Sequence, residues 1–347
     1  MTSASTRVLV TGGCGFLGGH IVQQLLHDSA TSIAIVSRNP KPTFDESRIS
    51  YHSAEIANKA QIQAIFDKIK PHAVIHTASP HHTEHASLLK RTNINGTRNL
   101  LQAAKSCPET WAFIYTSSDS AVLSTQTPLT EDKAQLYTAE HYPNIYSLTK
   151  ALADASVLEA NSTELSTVVL RLPAIYGEHD TNFLPQLVSS IRKQEHKMQV
   201  GTNEKLFEFL YVGKAAEAHV LALHALLDGQ GLSSVAGEAF FVSDGVPQPF
   251  FDFARKCYAA AGSPVKPEEV TSIPLGVMQV MASVGEWLYF IFTFGMKTPA
   301  LRRDGIDHLN KGCCWSIDKA KKMLGYEPVR DQDEMIAQSM EWAMKSC

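Results

Sequence analysis

The stretch Arg7-Val-Leu-Val-Thr11-Gly12-Gly13-Cys14-Gly15-Phe16-Leu17-Gly18 passes from a short β-branched run through glycines three apart, then into Ile21, Val22, Leu25 and Leu26 at helical spacing. That order predicts strand, tight turn, helix. A pyrophosphate needs such a turn: one glycine for the bend, one for close backbone approach, one for helix-strand packing, with N–H donors at the helix start. The spacing departs by one residue from G-x-G-x-x-G, so an ordinary strand-to-helix turn is the alternative reading.

Outward from this loop, further apolar strand runs are expected at 33–36, 73–75, 112–115, 167–170 and 239–242, mostly separated by helical stretches. The alternation predicts an α/β fold, a doubly wound parallel sheet of Rossmann type with helices on both faces. At 347 residues the chain exceeds the ~250–300 that one core usually serves. A dinucleotide-binding domain of residues 1–177 plus 209–245 is therefore expected. A smaller, discontinuous α-rich substrate-binding region would take 178–208, with a helix at 183–193 and a turn at Gly201, plus 246–347.

Composition narrows the function. A net charge of -4 with scattered Lys and Arg argues against nucleic acid, and 44% hydrophobic residues without low complexity argue against disorder. The polar start, 1–6, lacks the apolar core of a secretory signal, so a cytoplasmic setting with free thiols is expected.

About twenty residues after the glycines, an acid would grip the ribose hydroxyl of NAD. Here Ser37 and Arg38 stand instead. A hydroxyl beside a guanidinium suits a 2'-phosphate better, which favours NADP(H) over NAD(H). Farther on, Tyr146-Ser-Leu-Thr-Lys150 opens a predicted helix, and residues four apart share a face. A nearby ammonium favours the phenolate of a tyrosine, so the pair suits proton transfer. Ser118, at the expected end of the 112–118 strand, could hold a substrate oxygen against Tyr146.

Together these residues resemble the extended short-chain dehydrogenase/reductase family over nearly the whole chain. The resemblance rests on Thr11 to Gly18, Glu55-Ile56, His76-Thr-Ala78, Asn93 to Thr97, Thr116 to Ser118, Tyr146 to Lys150, and Arg171-Leu-Pro-Ala-Ile-Tyr-Gly177. It implies a catalytic triad of Ser118, Tyr146 and Lys150, and cofactor contacts at Gly12, Gly15, Phe16, Leu17, Gly18, Ser37, Arg38, Glu55, Ile56, Ala78, Tyr146, Lys150 and Pro173. Pro173 stands one place late relative to the family pattern. Substrate contacts are expected at Ser79, Pro80, Ser120 and Tyr176. Thr77-Ala-Ser-Pro80 and Ala320-Lys-Lys-Met-Leu-Gly-Tyr-Glu-Pro328 are most similar to 3β-hydroxysteroid dehydrogenases and decarboxylating sterol-4α-carboxylate 3-dehydrogenases. The implied function is NAD(P)-dependent oxidoreduction of a secondary alcohol or ketone on a hydrophobic polycyclic substrate, a 3-hydroxy steroid or terpenoid. An adjacent carboxylate could leave as CO2. A smaller ketone or aldehyde is the alternative substrate, and relatives of this kind commonly form homodimers. Many sterol-acting relatives carry Asp at the position of Ser37.

Two segments stand apart. Residues 274–296 are the most apolar of the chain, yet Gln279, Ser283 and Glu286 form one polar stripe, which predicts a buried or interfacial helix. Peripheral contact with an internal membrane is the partner reading of that segment; a full span is the third. His81-His82-Thr83-Glu84-His85 fits the H-x-x-E-H spacing of some zinc peptidases, a rival hydrolase reading. A dinucleotide-binding sensor is the non-catalytic rival, though it has no need of Ser118, Tyr146 and Lys150.

Overall fold

The computed structural model describes residues 6–44, 46–229, 234–293 and 303–347. Val8, Leu9 and Val10 are fully buried, because a strand inside a parallel sheet is covered on both faces. This strand, β1 (Thr6–Thr11), lies centrally in a seven-stranded parallel sheet with β2 (Thr31–Ser37), β3 (Ile49–Ser53), β4 (Ala73–His76), β5 (Ala112–Ser118), β6 (Ser166–Leu172) and β7 (Glu238–Phe241). The order is β7-β6-β5-β4-β1-β2-β3, all pairs parallel. The expected doubly wound sheet is thus observed. Chain direction across the sheet reverses between β1 and β4, and ligands of such sheets bind outside the strand ends at that switch.

The helices are α1 (Phe16–Leu25), α2 (Lys59–Ile69), α3 (Thr97–Ser106), α4 (Ile145–Glu159), α5 (Phe183–Arg192), α6 (Val212–Gly229), α7 (Phe250–Ala260), α8 (Leu275–Thr293), α9 (Arg303–Lys311), α10 (Asp318–Leu324) and α11 (Gln332–Ser346). On one side of the sheet, Ile21, Val22 and Leu25 of α1 share a core with Ala215, Ala222 and Leu226 of α6. On the other, Ile62 and Phe66 of α2, Leu100 of α3 and Val157 of α4 pack against Leu9, Val74 and Phe113. A third core joins Leu184 and Leu187 of α5, Phe253 of α7 and Met340 of α11 with Tyr176, Phe209 and Trp315.

The sequence reading passed over β3. Its residues are all half-buried or exposed, as befits an edge strand, so no apolar run announces it.

Helix α8 covers most of the apolar 274–296 stretch; residues 294–296 and the Glu286 side chain lie outside what is described. Of the buried and interfacial alternatives, its exposed apolar face departs from the buried one. Gln279 donates to Asp307 of α9 at 2.7 Å, so this part of the polar stripe faces protein. Val277, Val280, Met281, Val284 and Trp287, spaced along one face, are exposed, Trp287 by 63%. Among the described residues no helix is long and apolar enough to cross a membrane.

Candidate active site

The glycine turn is built as its chemistry requires. Gly12 adopts φ +77°, and a Cβ there would fall 2.7 Å from the Thr77 hydroxyl. A Cβ on Gly18 would fall 2.1 Å from the Gly12 carbonyl oxygen, so α1 can approach the loop only with glycine at that place. Gly15 N–H closes the turn on the Gly12 carbonyl at 2.8 Å. Phe16 and Leu17 then form the first residues of α1. The cradle fits a pyrophosphate: little side-chain bulk, and a helix N-terminus behind it.

Ser37 ends β2, and the exposed Arg38 follows; its carbonyl accepts the Ser53 hydroxyl at 2.8 Å, which ties the turn to β3. Nearby, the Cys14 thiol of the glycine loop reaches the Lys41 carbonyl at 3.6 Å. These contacts bring the Ser37–Lys41 turn beside the glycine loop. Glu55 is engaged by Arg91 at 2.9 Å, while Ile56 is buried against Gly96.

His76 explains why several short motifs occur together. Thr97 gives its hydroxyl proton to the Asn93 carbonyl at 2.6 Å, and therefore accepts from His76 Nε2 at 3.0 Å. Nδ1 is then left to accept from the Thr11 hydroxyl at 2.7 Å. One neutral imidazole thus couples the strand leading into the glycine loop to the start of α3. Burial pushes it down to about 3, which keeps it uncharged. Thr11 Oγ1 also receives the Ala78 N–H at 3.4 Å.

Asn93 lies in a π-helical turn, Lys90–Gly96, a widening frequent at functional sites. Its side-chain Nδ2 donates to Thr149 at 3.1 Å and its side-chain Oδ1 accepts from Ser79 at 3.0 Å. Thr149 in turn donates to the Tyr146 carbonyl at 3.0 Å. Asn93 is thereby a positioning residue for α4, a role the sequence reading had not given it.

Helix α4 starts at an Asn144 cap, whose side chain accepts the Ser147 N–H at 2.9 Å. Tyr146 and Lys150 occupy its first turns. The Ser118 hydroxyl lies near enough to the Tyr146 phenol to act on its ionisation, and it bonds to Ser120 Oγ at 2.9 Å. Lys150 Nζ donates to the Thr116 carbonyl at 2.5 Å and lies 4.6 Å above the Tyr115 ring. Burial, and then the charge of Asp119, push the Tyr146 phenol up to about 12, while Ser118 opposes the rise. Burial brings Lys150 down to about 7 against the opposing pull of Asp154. Desolvation therefore dominates both groups, and both favour their neutral forms.

Asp154, one turn beyond Lys150, is fully buried. It accepts Arg171 Nε at 3.0 Å, Arg171 Nη2 at 2.9 Å and Ser117 Oγ at 2.7 Å. The pair locks α4 to β5 and β6.

Behind Ser118 stands a group that no motif signals. Asp119, raised by burial, accepts the Ser118 hydroxyl at 3.4 Å and lies beside Cys313 and Trp315, within the field of His308. Burial lifts Glu208 to about 7, and it receives the Cys314 thiol at 3.8 Å. Only tertiary folding brings these residues together.

Of the expected substrate contacts, Ser79 and Ser120 reach the site through Asn93 and Ser118, and Pro80 leads into the His81–His85 loop. Tyr176 is directed elsewhere. It is fully buried edge-on to Phe253 at 5.1 Å, and its hydroxyl donates to Asp244 at 2.9 Å. Pro173 is buried between β6 and the short strand Ala174–Tyr176. The H-x-x-E-H histidines do not converge: His81 is held by Thr83 and Asn182, and His85 caps the short helix Ala86–Leu89. Among the described residues no group of three potential ligands gathers for a metal.

Residues 9–275 match the 3-beta hydroxysteroid dehydrogenase/isomerase family. The decarboxylating sterol-4-alpha-carboxylate 3-dehydrogenase of Gibberella zeae is 57% identical over 294 residues, 84% of this chain and 97% of that protein. Its counterpart in Schizosaccharomyces pombe is 32% identical over 338 residues, 96% of each. The fold superposes on the Bordetella bronchiseptica enzyme WbmH, solved in complex with NAD+, with a TM-score of 0.75 at 18% identity, covering 99% of this chain and 100% of that one.

Proposed function

Because the chain belongs to the 3-beta hydroxysteroid dehydrogenase/isomerase family, we propose that it oxidises the 3-hydroxyl of a sterol bearing a neighbouring carboxylate, which then departs as CO2. The observation that carries this reading is the contact of the Ser118 hydroxyl with the Tyr146 phenol, on the helix face that also presents Lys150, at the end of β5. A nicotinamide dinucleotide, held by Gly12, Gly15, Phe16, Leu17 and Gly18, supplies the hydride acceptor when bound. Glu55, Ile56, Ala78, Lys150 and Pro173 are the further contacts on its path.

Ser118 donates to the alcohol oxygen and fixes it against Tyr146. Tyr146 takes the hydroxyl proton as the C–H hydride leaves; against the burial that holds it neutral, a protonated Lys150 and the positive charge of an oxidised dinucleotide, when bound, would favour the phenolate. The ketone so formed stands next to the carboxylate. When the C–C bond breaks, its electron pair moves into the carbonyl as an enolate, whose oxygen meets two donors already in place, Ser118 and the now protonated Tyr146. No additional catalytic group is needed for CO2 loss.

Ser37 and Arg38 favour NADP(H), with NAD(H) as the alternative. Residues 178–208 and 246–347 form the substrate side, against a dinucleotide domain of 1–177 plus 209–245. The outward face of α8 lies on a membrane surface on the cytoplasmic side, shortening the path of a greasy substrate; a homodimer contact is the rival use of that face. The test is Tyr146→Phe. Turnover should fall by roughly 10²–10⁴ with dinucleotide affinity kept, and retained turnover refutes the proton role.

A further inference from the structure

The H-x-x-E-H loop, left over once zinc is set aside, borders the catalytic tyrosine. The His82 ring meets Tyr146 edge-on at 6.2 Å and 71°. His82 also lies 4.1 Å from the His81 ring, and His81 is held at both nitrogens. Its Nε2 donates to Asn182 Oδ1 at 2.7 Å, and its Nδ1 accepts from Thr83 at 2.7 Å. Asn182 is itself fixed, because the buried Asp180 carboxylate accepts its N–H at 2.7 Å. His82 therefore rests on a braced platform spanning the loop after β4 and the start of α5.

Groups of two kinds stand around the Ser118–Tyr146 pair. Asp119, with Glu208 and His308 in its field, follows Ser118 in the chain and accepts its hydroxyl at 3.4 Å. His82, with His81 beside it, stands against the Tyr146 ring. We propose that His82 is the residue that recognises the substrate's carboxylate, beside the Tyr146 ring. This inference rests on the reading of a carboxylate-bearing sterol. A carboxylate on the carbon adjoining the alcohol lies within hydrogen-bond reach of whatever lines the tyrosine, and imidazole donates at least one N–H in either charge state. Imidazole also suits the second step. A bidentate guanidinium would hold the carboxylate in its charged ground state and oppose its departure as CO2, whereas a single N–H donor releases it more readily.

The test compares a 3-hydroxysteroid carrying the 4-carboxylate with the same ring system lacking it, read as the ratio of the two kcat/KM values. His82→Phe keeps a ring against Tyr146 and removes the donors; His82→Gln keeps a donor. The acid-to-plain ratio should fall roughly 10–100-fold in His82→Phe and recover most of that in His82→Gln, with dinucleotide binding showing that both variants are folded. An unchanged ratio in His82→Phe overturns the proposal. So does a ratio that falls in His308→Gln instead, which puts the carboxylate at His308. An unchanged ratio defeats the inference alone, whereas wild-type protein that oxidises only the plain steroid defeats the carboxylate-bearing reading beneath it, and wild-type protein that oxidises neither defeats the sterol reading altogether.

Discussion

Replacing Asp154 by Asn tests the scaffold of the site and its electrostatics together. Asp154 is 0% exposed and Arg171 4%, and the carboxylate accepts three hydrogen bonds, two from the guanidinium and one from Ser117. Asparagine offers one acceptor oxygen and turns N–H donors toward donors. The guanidinium is left buried without its counter-charge, which costs about 3–5 kcal/mol. That should lower the thermal midpoint by roughly 4–7 °C in a chain of this size. Asp154→Leu combined with Arg171→Met removes both charges and should recover much of the loss. The same substitution reaches Lys150. Asp154 raises the lysine's pKa against burial, so its loss moves Lys150 below about 7 and the ammonium disappears at lower pH. The alkaline fall in kcat should therefore shift toward acid. Calorimetry and a pH–rate profile read the two effects. A variant within about 1 kcal/mol of wild type, with an unshifted profile, would refute a dry, functional ion pair.

If NADP(H) is the preferred dinucleotide, as proposed, Arg38→Glu should lower the ratio of kcat/KM for NADP to that for NAD by roughly 10–100-fold, since a carboxylate at that position would repel the 2'-phosphate. Steady-state kinetics with both dinucleotides reads it. His219, bonded to Thr116 and the Ala215 carbonyl, is held down to about 4 by burial. As pH falls through about 6.5 the unfolded chain binds a proton that the folded one refuses, so stability is lost on the acid side. Between about pH 6 and 4.5, His219→Gln should lose stability less steeply than wild type, by roughly 1.4 kcal/mol per pH unit in denaturant titrations. Val280→Ser with Trp287→Ser should abolish sedimentation with phospholipid vesicles. An altered mass in light scattering, without vesicles, would assign that face to a second copy of the chain instead.

What could be read in advance follows from physical range. Strands β1, β4, β5 and β6 are buried on both faces and declare themselves as apolar runs, whereas the half-exposed edge strand β3 does not. The spacing of Tyr146 and Lys150 puts them on one helix face, but it was their position after the glycine loop and the Thr116–Ser118 strand end that singled them out. Ser118 was legible because it ends a strand. Asp119, Glu208 and His308 come from separate segments, and no local pattern links them. Tyr176 shows the limit of motif position: the motif located the strand, but the direction of the side chain was decided by Asp244 and the aromatic core. Likewise the polar stripe of α8 was visible, but Asp307 determined that its Gln279 faces protein.

The central claim is coupled oxidation and decarboxylation at Tyr146. Its most direct test is to incubate the purified protein and an oxidised dinucleotide with a 3-hydroxysterol isotopically labelled in its 4-carboxylate, following reduced dinucleotide and labelled CO2 together. The account predicts equal amounts of both, a 3-ketone without the carboxyl group, and neither signal in Tyr146→Phe. Dinucleotide reduced with the acid intact in the product, or no reduction at all, would contradict it.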